Sequence, residues 1–275
     1  MRETGATNSR NRGMSLSSTL QLPDRRRNTA IGKILVESLS LEQTARAFVA
    51  YSLSGERRAA KRPLYSTSVN GQVISLCESD PEIAALFRQA DSINADGQPM
   101  VTLSRFLART PLPERVATTD LFPAVAALAA KAGLTFYMLG AAERVNAKAV
   151  EQVRKAYPGL KIVGRRNGYF GRDEEAEICD EIAALQPDIL WISLGAPLEQ
   201  AFVQRNLGRL AGVGIIKTAG GLLDFLSGEK ARAPTWMQRF GFEWLFRTVL
   251  EPKRLLKRYV TTNPHALYVM LTKMR

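Results

Sequence analysis

Histidine and cysteine are nearly missing from this chain: one histidine, His265, and two cysteines, Cys77 and Cys179, in 275 residues. A single imidazole near the C-terminus excludes a histidine-based metal cluster and a Ser-His-Asp triad in the body of the protein. Two cysteines so far apart support neither a disulfide framework nor a zinc site, and a reducing cytosol is the expected setting. No apolar run reaches membrane-spanning length, because the longest, 121–142, is interrupted by Pro123 and Lys131 and split at Ala132-Gly133. There is no Walker phosphate loop, no GxGxxG at a strand-helix junction and no Asp-x-Asp pair for a divalent ion. The first thirty residues lack an apolar h-region, so they do not read as a secretory signal; their Arg, Ser and Asn content predicts disorder over 1–30.

Basic charge, by contrast, is plentiful and unevenly placed. The net charge is +12; residues 1–33 hold seven Lys/Arg against two acids, residues 229–275 hold ten against three, and the stretch between is balanced at 21 of each. Basic ends on a balanced body point to an acidic partner: nucleic acid, an anionic membrane surface or a phosphorylated substrate. No recognised nucleic-acid module is present and the basic residues lie outside the expected core, so no nucleic-acid partner is expected. The C-terminal segment also carries Trp236, Phe240, Trp244 and Phe246 among Arg232, Arg239, Arg247, Arg254 and Arg258. Aromatic anchors interleaved with guanidinium groups suit contact with lipid and phosphate together. Trp236 and Trp244 are equally placed to dock this segment on the body, and Glu243 to pair with Arg239 or Arg247 at helical spacing.

With 45% hydrophobic residues the chain can bury one sizeable core. Short β-rich runs at 31–36, 63–67, 92–94, 134–139, 161–164, 189–194 and 213–217 alternate with helical patterns at 41–54, 81–90, 120–131, 144–157, 173–185 and 198–210. That alternation predicts an α/β fold, a Rossmann-like mostly parallel sheet flanked by helices. The expected division is a disordered basic segment at 1–30, an α/β body at 31–228, and a helical appendage at 229–275 with Pro234, Pro252 and Pro264 each at a helix start.

In such sheets ligands sit beyond the carboxyl ends of the strands. Ser68 and Asn70 follow the second strand, Asp96 and Gly97 the third, Gly140 the fourth, Gly195 and Pro197 the sixth, and Gly220 and Gly221 the seventh. Glycine admits close backbone approach to a phosphate, and it is equally an ordinary turn residue. Asp96 is the candidate base, a carboxylate held directly after a buried strand, although Asp-Gly is also a common turn dipeptide. Asp224 and Phe225 read either as a uridine contact or as a helix cap and a core residue.

Four strings go further: NADG at 94–97, YPGLKIVGRRNGYF at 157–170, PDILWISLGAP at 187–197, and the long block at 220–259 that begins GGLLDFLSGEK and ends KRLLKRY. Over about 31–259 the chain resembles the WecG/TagA/CpsF glycosyltransferases, and around YSTSVNGQ it is similar to members that build exopolysaccharide. The resemblance implies transfer of a sugar from a UDP-sugar to a polyprenyl-diphosphate-linked glycan at the cytoplasmic face of the membrane, with inversion and without a metal. It implies no cofactor, the UDP-sugar being a substrate, and it admits a homo-oligomer. Asp96 matches the family's proposed general base, Ser68 and Asn70 its Thr-x-Asn element, and Arg115 an arginine beside that pocket. Arg247, Arg254 and Arg258 match basic positions thought to engage diphosphate, and their spacing puts them on one helical face if the helix is continuous.

Two strings depart from the family pattern. Gly195-Ala196-Pro197-Leu198-Glu199-Gln200 replaces Gly-x-Pro-Lys-Gln-Glu, in a loop expected to help hold the nucleotide or sugar, and Thr218-Ala219-Gly220-Gly221 replaces Gly-Val-Gly-Gly. The altered Pro-Leu-Glu-Gln loop also favours a rival reading, a non-catalytic basic scaffold of the same fold that binds nucleotide or membrane.

Overall fold

The computed structural model describes residues 28–275, less the side chains of Arg239 and Arg254. The expectation of disorder therefore lies outside the described residues over 1–27, while 28–30 belong to a strand.

The described residues begin with an antiparallel hairpin, β1 (Asn28–Ile31) and β2 (Ile34–Glu37), where one strand at 31–36 was expected. Gly32, at a φ of 57°, reverses the chain, and a Cβ there would lie 2.9 Å from Val269, so glycine meets both the turn and the packing. Next come α1 (Leu41–Leu53), capped by a Ser40/Gln43 box, and the short α2 (Gly55–Ala59). The body continues with β3 (Leu64–Val69), α3 (Gly71–Ser79), α4 (Pro81–Arg88), β4 (Ser92–Ala95), α5 (Gln98–Leu107) and α6 (Thr118–Ala132). It goes on through β5 (Thr135–Gly140), α7 (Glu143–Ala156), β6 (Lys161–Arg166), α8 (Glu175–Leu185), β7 (Ile189–Ser193), α9 (Leu198–Asn206), β8 (Ile215–Thr218) and α10 (Leu222–Leu226).

Six of these strands form one parallel sheet in the order β4-β3-β8-β7-β5-β6, as the alternation of elements required. Strand β7 shows why its sequence is apolar throughout. Ile189 and Trp191 enter one core with Phe122 and Phe136, while Leu190 and Ile192 enter the opposite one with Tyr65, Tyr137 and Phe202. Trp191 meets Phe122 edge-on, with ring centroids 4.9 Å apart.

A third cluster joins the hairpin, α3, α4 and α5 to the end of the chain. Beyond the body run α11 (Thr235–Arg239), α12 (Glu243–Leu250) and α13 (Pro252–Lys273). Helix α13 passes through Pro264, correcting the expected helix start there. It buries Leu255, Ala266, Val269 and Met270, and the chain end bonds back to β1 through Ala30 N–H to the Arg275 carbonyl (3.1 Å) and Arg275 N–H to the Ala30 carbonyl (2.9 Å). His265 belongs to this docking, its Nδ1 lying 2.9 Å from Ser75 Oγ on α3. Helices α3 and α5 were not expected. Both are short, and only their caps mark them: Asn70, whose side chain accepts from Val73 N–H, and Gly97.

Candidate active site

A cavity of about 410 Å³ opens beyond the carboxyl ends of β3, β4 and β8 and beside the loop after β7, with α12 and α13 as its outer wall. The chain runs from β3 outward to β4 and then crosses to the far side of the sheet for β5, so the crevice lies where the strand order reverses. Ser68, Asn70, Asp96, Gly97, Arg115, Glu199, Gly220, Gly221 and Arg247 all line it, gathering residues up to 179 positions apart (Ser68 to Arg247). Among the described residues no three His, Cys, Asp or Glu side chains come together as metal ligands do.

Asp96 follows β4 directly, its backbone N–H donating to the Val69 carbonyl (2.8 Å), which fixes the side chain at the sheet edge. Among the described residues its carboxylate takes no side-chain hydrogen bond. Burial pushes its pKa up to about 6, and the carboxylates of Glu243 and Asp120 push the same way, against Arg115 and Lys217. It is thus ionised at neutral pH yet basic for a carboxylate, the range in which a general base works.

Lys217, on β8, escaped the sequence reading. It is fully buried, and its ammonium donates to Ser68 Oγ (2.8 Å) and Asn94 Oδ1 (2.9 Å). Burial lowers its pKa to about 7, against the raising effect of Asp96, Glu199 and Glu37. The available signal was a lone lysine in the apolar string GIIKTAG. Ser68 also lies 3.2 Å from Thr118 Oγ1.

Arg115 is the hub of the outer wall. It donates to Glu243 on α12 (2.7 Å), Asp120 on α6 (3.1 Å) and Gln238 on α11 (3.2 Å); Arg232 joins the same Asp120 and Gln238. Glu243 therefore pairs with Arg115, whereas a partner on its own helix was expected. Because the Glu243 charge raises the Asp96 pKa, E243Q removes that push and frees Arg115 to favour the ionised form. The Asp96 titration should move to lower pH by less than about one unit, read by carboxyl-carbon NMR.

Glu199 is buried and braces two strand-end loops, accepting from Gly220 N–H (2.9 Å) and Gly195 N–H (3.2 Å). Burial raises its pKa to about 7, against those amides and Gln200. Gln200 turns inward to Thr67 (3.1 Å) and Thr218 (3.4 Å), and neither it nor Gly195 or Pro197 lines the cavity, where Ala196 represents that loop. Asp224 pairs with Lys230 (2.7 Å) and also lies off the lining. The expected single arginine face is not formed. Arg247 lies on α12, stacked 5.8 Å from the Phe225 ring centroid, whereas Arg254 and Arg258 belong to α13, and Glu251 (φ −131°, ψ 60°) separates the helices. Arg258 stacks on its neighbour Tyr259 at 4.8 Å, off the lining, and the Arg254 side chain lies outside the described residues. Trp244 lines the cavity against Tyr259, and Trp236 is largely exposed.

The glycosyl transferase WecG/TagA/CpsF family model matches residues 30–275. The chain is 32% identical over 190 residues to an N-acetylglucosaminyldiphosphoundecaprenol N-acetyl-beta-D-mannosaminyltransferase of Bacillus spizizenii, covering 66% of this chain and 71% of that protein. It is 29% identical over 204 residues to the enzyme of the same name from Bacillus subtilis, covering 74% and 78%.

Proposed function

The chain belongs to the WecG/TagA/CpsF family of glycosyltransferases, and on that premise we propose that it moves a sugar from a UDP-sugar to a polyprenyl-diphosphate-linked glycan by a single inverting displacement. The observation that carries this reading is the placement of Asp96 and Arg115 in one cavity at the strand ends, under Arg247. Asp96 takes the proton of the acceptor hydroxyl as its oxygen attacks the anomeric carbon. The bond to the diphosphate breaks with its electron pair, and UDP leaves on the opposite side. Arg247, from the C-terminal segment, offsets the charge that grows on the leaving group, a role a divalent ion fills in other enzymes, while Arg115 stays beside Asp96.

The names of the two relatives make N-acetylglucosaminyl-diphosphoundecaprenol the first acceptor to test and N-acetylmannosamine the first sugar; the proposed setting is exopolysaccharide or cell-surface polysaccharide assembly. A lipid-linked acceptor puts the proposed reaction at a membrane, and a nucleotide-sugar donor makes the inner face the proposed side. Among the described residues no helix is long and apolar enough to cross a membrane. Exposed Trp236, Phe240, Val249 and Val260, interleaved with basic residues on α11 to α13, suit peripheral attachment. A panel of UDP-sugars offered with that acceptor in detergent tests the proposal: one donor should release UDP in step with lipid-linked product. Failure of every UDP-sugar, with turnover of another nucleotide sugar, would overturn the donor class.

A further inference from the structure

Lys217 is an expensive residue for its position. It sits mid-sheet on β8, between β3 and β7, where its flanking residues Ile215, Ile216 and Thr218 are as buried as it is. An ammonium removed from water is costly unless it is paired. Its two hydrogen-bond partners, Ser68 Oγ and Asn94 Oδ1, are neutral. The carboxylates that act on it do so through space from three elements: Glu37 at the end of β2, Glu199 on α9, and Asp96 beyond β4.

Glu37 in turn accepts from Ser92 Oγ (2.6 Å) and from Asn94 Nδ2 (3.4 Å), so Asn94 is clamped between Glu37 and Lys217 and cannot swing away. Asn94 lies two residues before Asp96 on the same strand end, and Ser68 is a wall residue of the active cavity. The charge is thereby locked just behind the wall, on the side of the candidate base. Arg115 also acts on Asp96, from the cavity lining, while tied to Glu243 and Asp120.

We infer that Lys217 is a positioning residue for sugar transfer: its buried ammonium, fixed by Ser68 and Asn94, acts through space on Asp96 and keeps that carboxylate ionised while the acceptor and the helical wall exclude water. This rests on the reading of Asp96 as the base. The electrostatics agree in sign, since Lys217 lowers the Asp96 pKa and Asp96 raises that of Lys217. The other groups acting on Asp96 are Arg115, which lowers it, and Glu243 and Asp120, which raise it, so loss of Lys217 leaves two carboxylates against one arginine.

The test compares kcat/KM against pH, from about pH 5 to pH 9, for the full chain, K217M, K217Q and D96N with a UDP-sugar and the lipid-diphosphate acceptor. K217M keeps the length of the side chain and removes the charge. K217Q keeps a donor toward Ser68 or Asn94 and carries the same test should K217M not fold by circular dichroism. In either variant the acid limb should move up by about one pH unit, a loss that approaches tenfold near pH 5, is about fivefold at pH 6 and shrinks further as pH rises. A uniform loss across the pH range with an unmoved acid limb would mean that Lys217 only supports the sheet, and would overturn the inference. Near-normal turnover of D96N would instead overturn the assignment of the base, whatever Lys217 does.

Discussion

D96N should lower sugar transfer by about 10²- to 10⁴-fold, the range of a lost general base, while leaving the fold and UDP binding intact. An amide has the shape of the carboxylate but cannot take the acceptor proton. The fold should not suffer, because the anchoring bond at this position is from the backbone N–H to Val69, and among the described residues the carboxylate takes no side-chain hydrogen bond. The sign of the electrostatic effect points the same way. Burial raises the Asp96 pKa to about 6 in the folded protein, so the stability tied to its protonated form is complete below its unfolded pKa near 4 and is lost as pH rises through about 6. A neutral amide carries no such loss, and the melting temperature of D96N at pH 8 should equal or exceed that of the parent. Calorimetry, UDP titration and product formation measured on one preparation separate these effects. A D96N protein that melts normally, binds UDP and still turns over within a few-fold of the parent would remove Asp96 from the chemistry.

Ending the chain at Glu251, before α13, should prevent cooperative folding. The C-terminal segment packs into the body: Leu255, Ala266, Val269 and Met270 of α13 and Met274 after it are buried, four of these five in the cluster shared with the hairpin, α3, α4 and α5. Each large apolar side chain among them contributes about 1.5–3 kcal/mol on burial, and a domain's whole net stability is about 5–15 kcal/mol. The truncation also strips the three backbone hydrogen bonds between the hairpin, at Ala30 and Gly32, and residues 273 and 275, and leaves the Ser75 hydroxyl without His265. Urea unfolding followed by circular dichroism should show no cooperative transition. A soluble truncated chain with a sharp transition would mean that α13 is an addition to an autonomous body.

Most of the sheet was legible because parallel strands covered on both faces must be apolar, and β3 to β8 stand out against their amphipathic helices. The hairpin read as one strand, since Gly32 and Lys33 interrupt the apolar run by only two residues. Of the cavity, Asp96, Ser68 and Asn70 were accessible from strand-end position and from family resemblance. Their second roles, such as Asn70 capping α3, were visible only in place. Arg115 was placed by resemblance, but its partners Glu243, Asp120 and Gln238 come from α12, α6 and α11, and no local spacing encodes that meeting. Gln200, Asp224 and Arg258 looked alike as polar residues near the strand ends or in the basic tail. Only packing turned them toward the core, toward Lys230 and onto Tyr259.

Local order and composition by themselves determined the α/β class, the basic ends, the missing metal-ligand motifs and the aspartate at a strand end, because periodicity, charge and turn chemistry act over a few residues. Tertiary structure alone decided that Glu251 breaks the arginine face, that the C-terminal helix belongs to the core, and that a buried lysine lies behind the candidate base. Those outcomes depend on which distant segments share a low-dielectric interior, and burial changes the energy of a charge by more than any neighbour in sequence can.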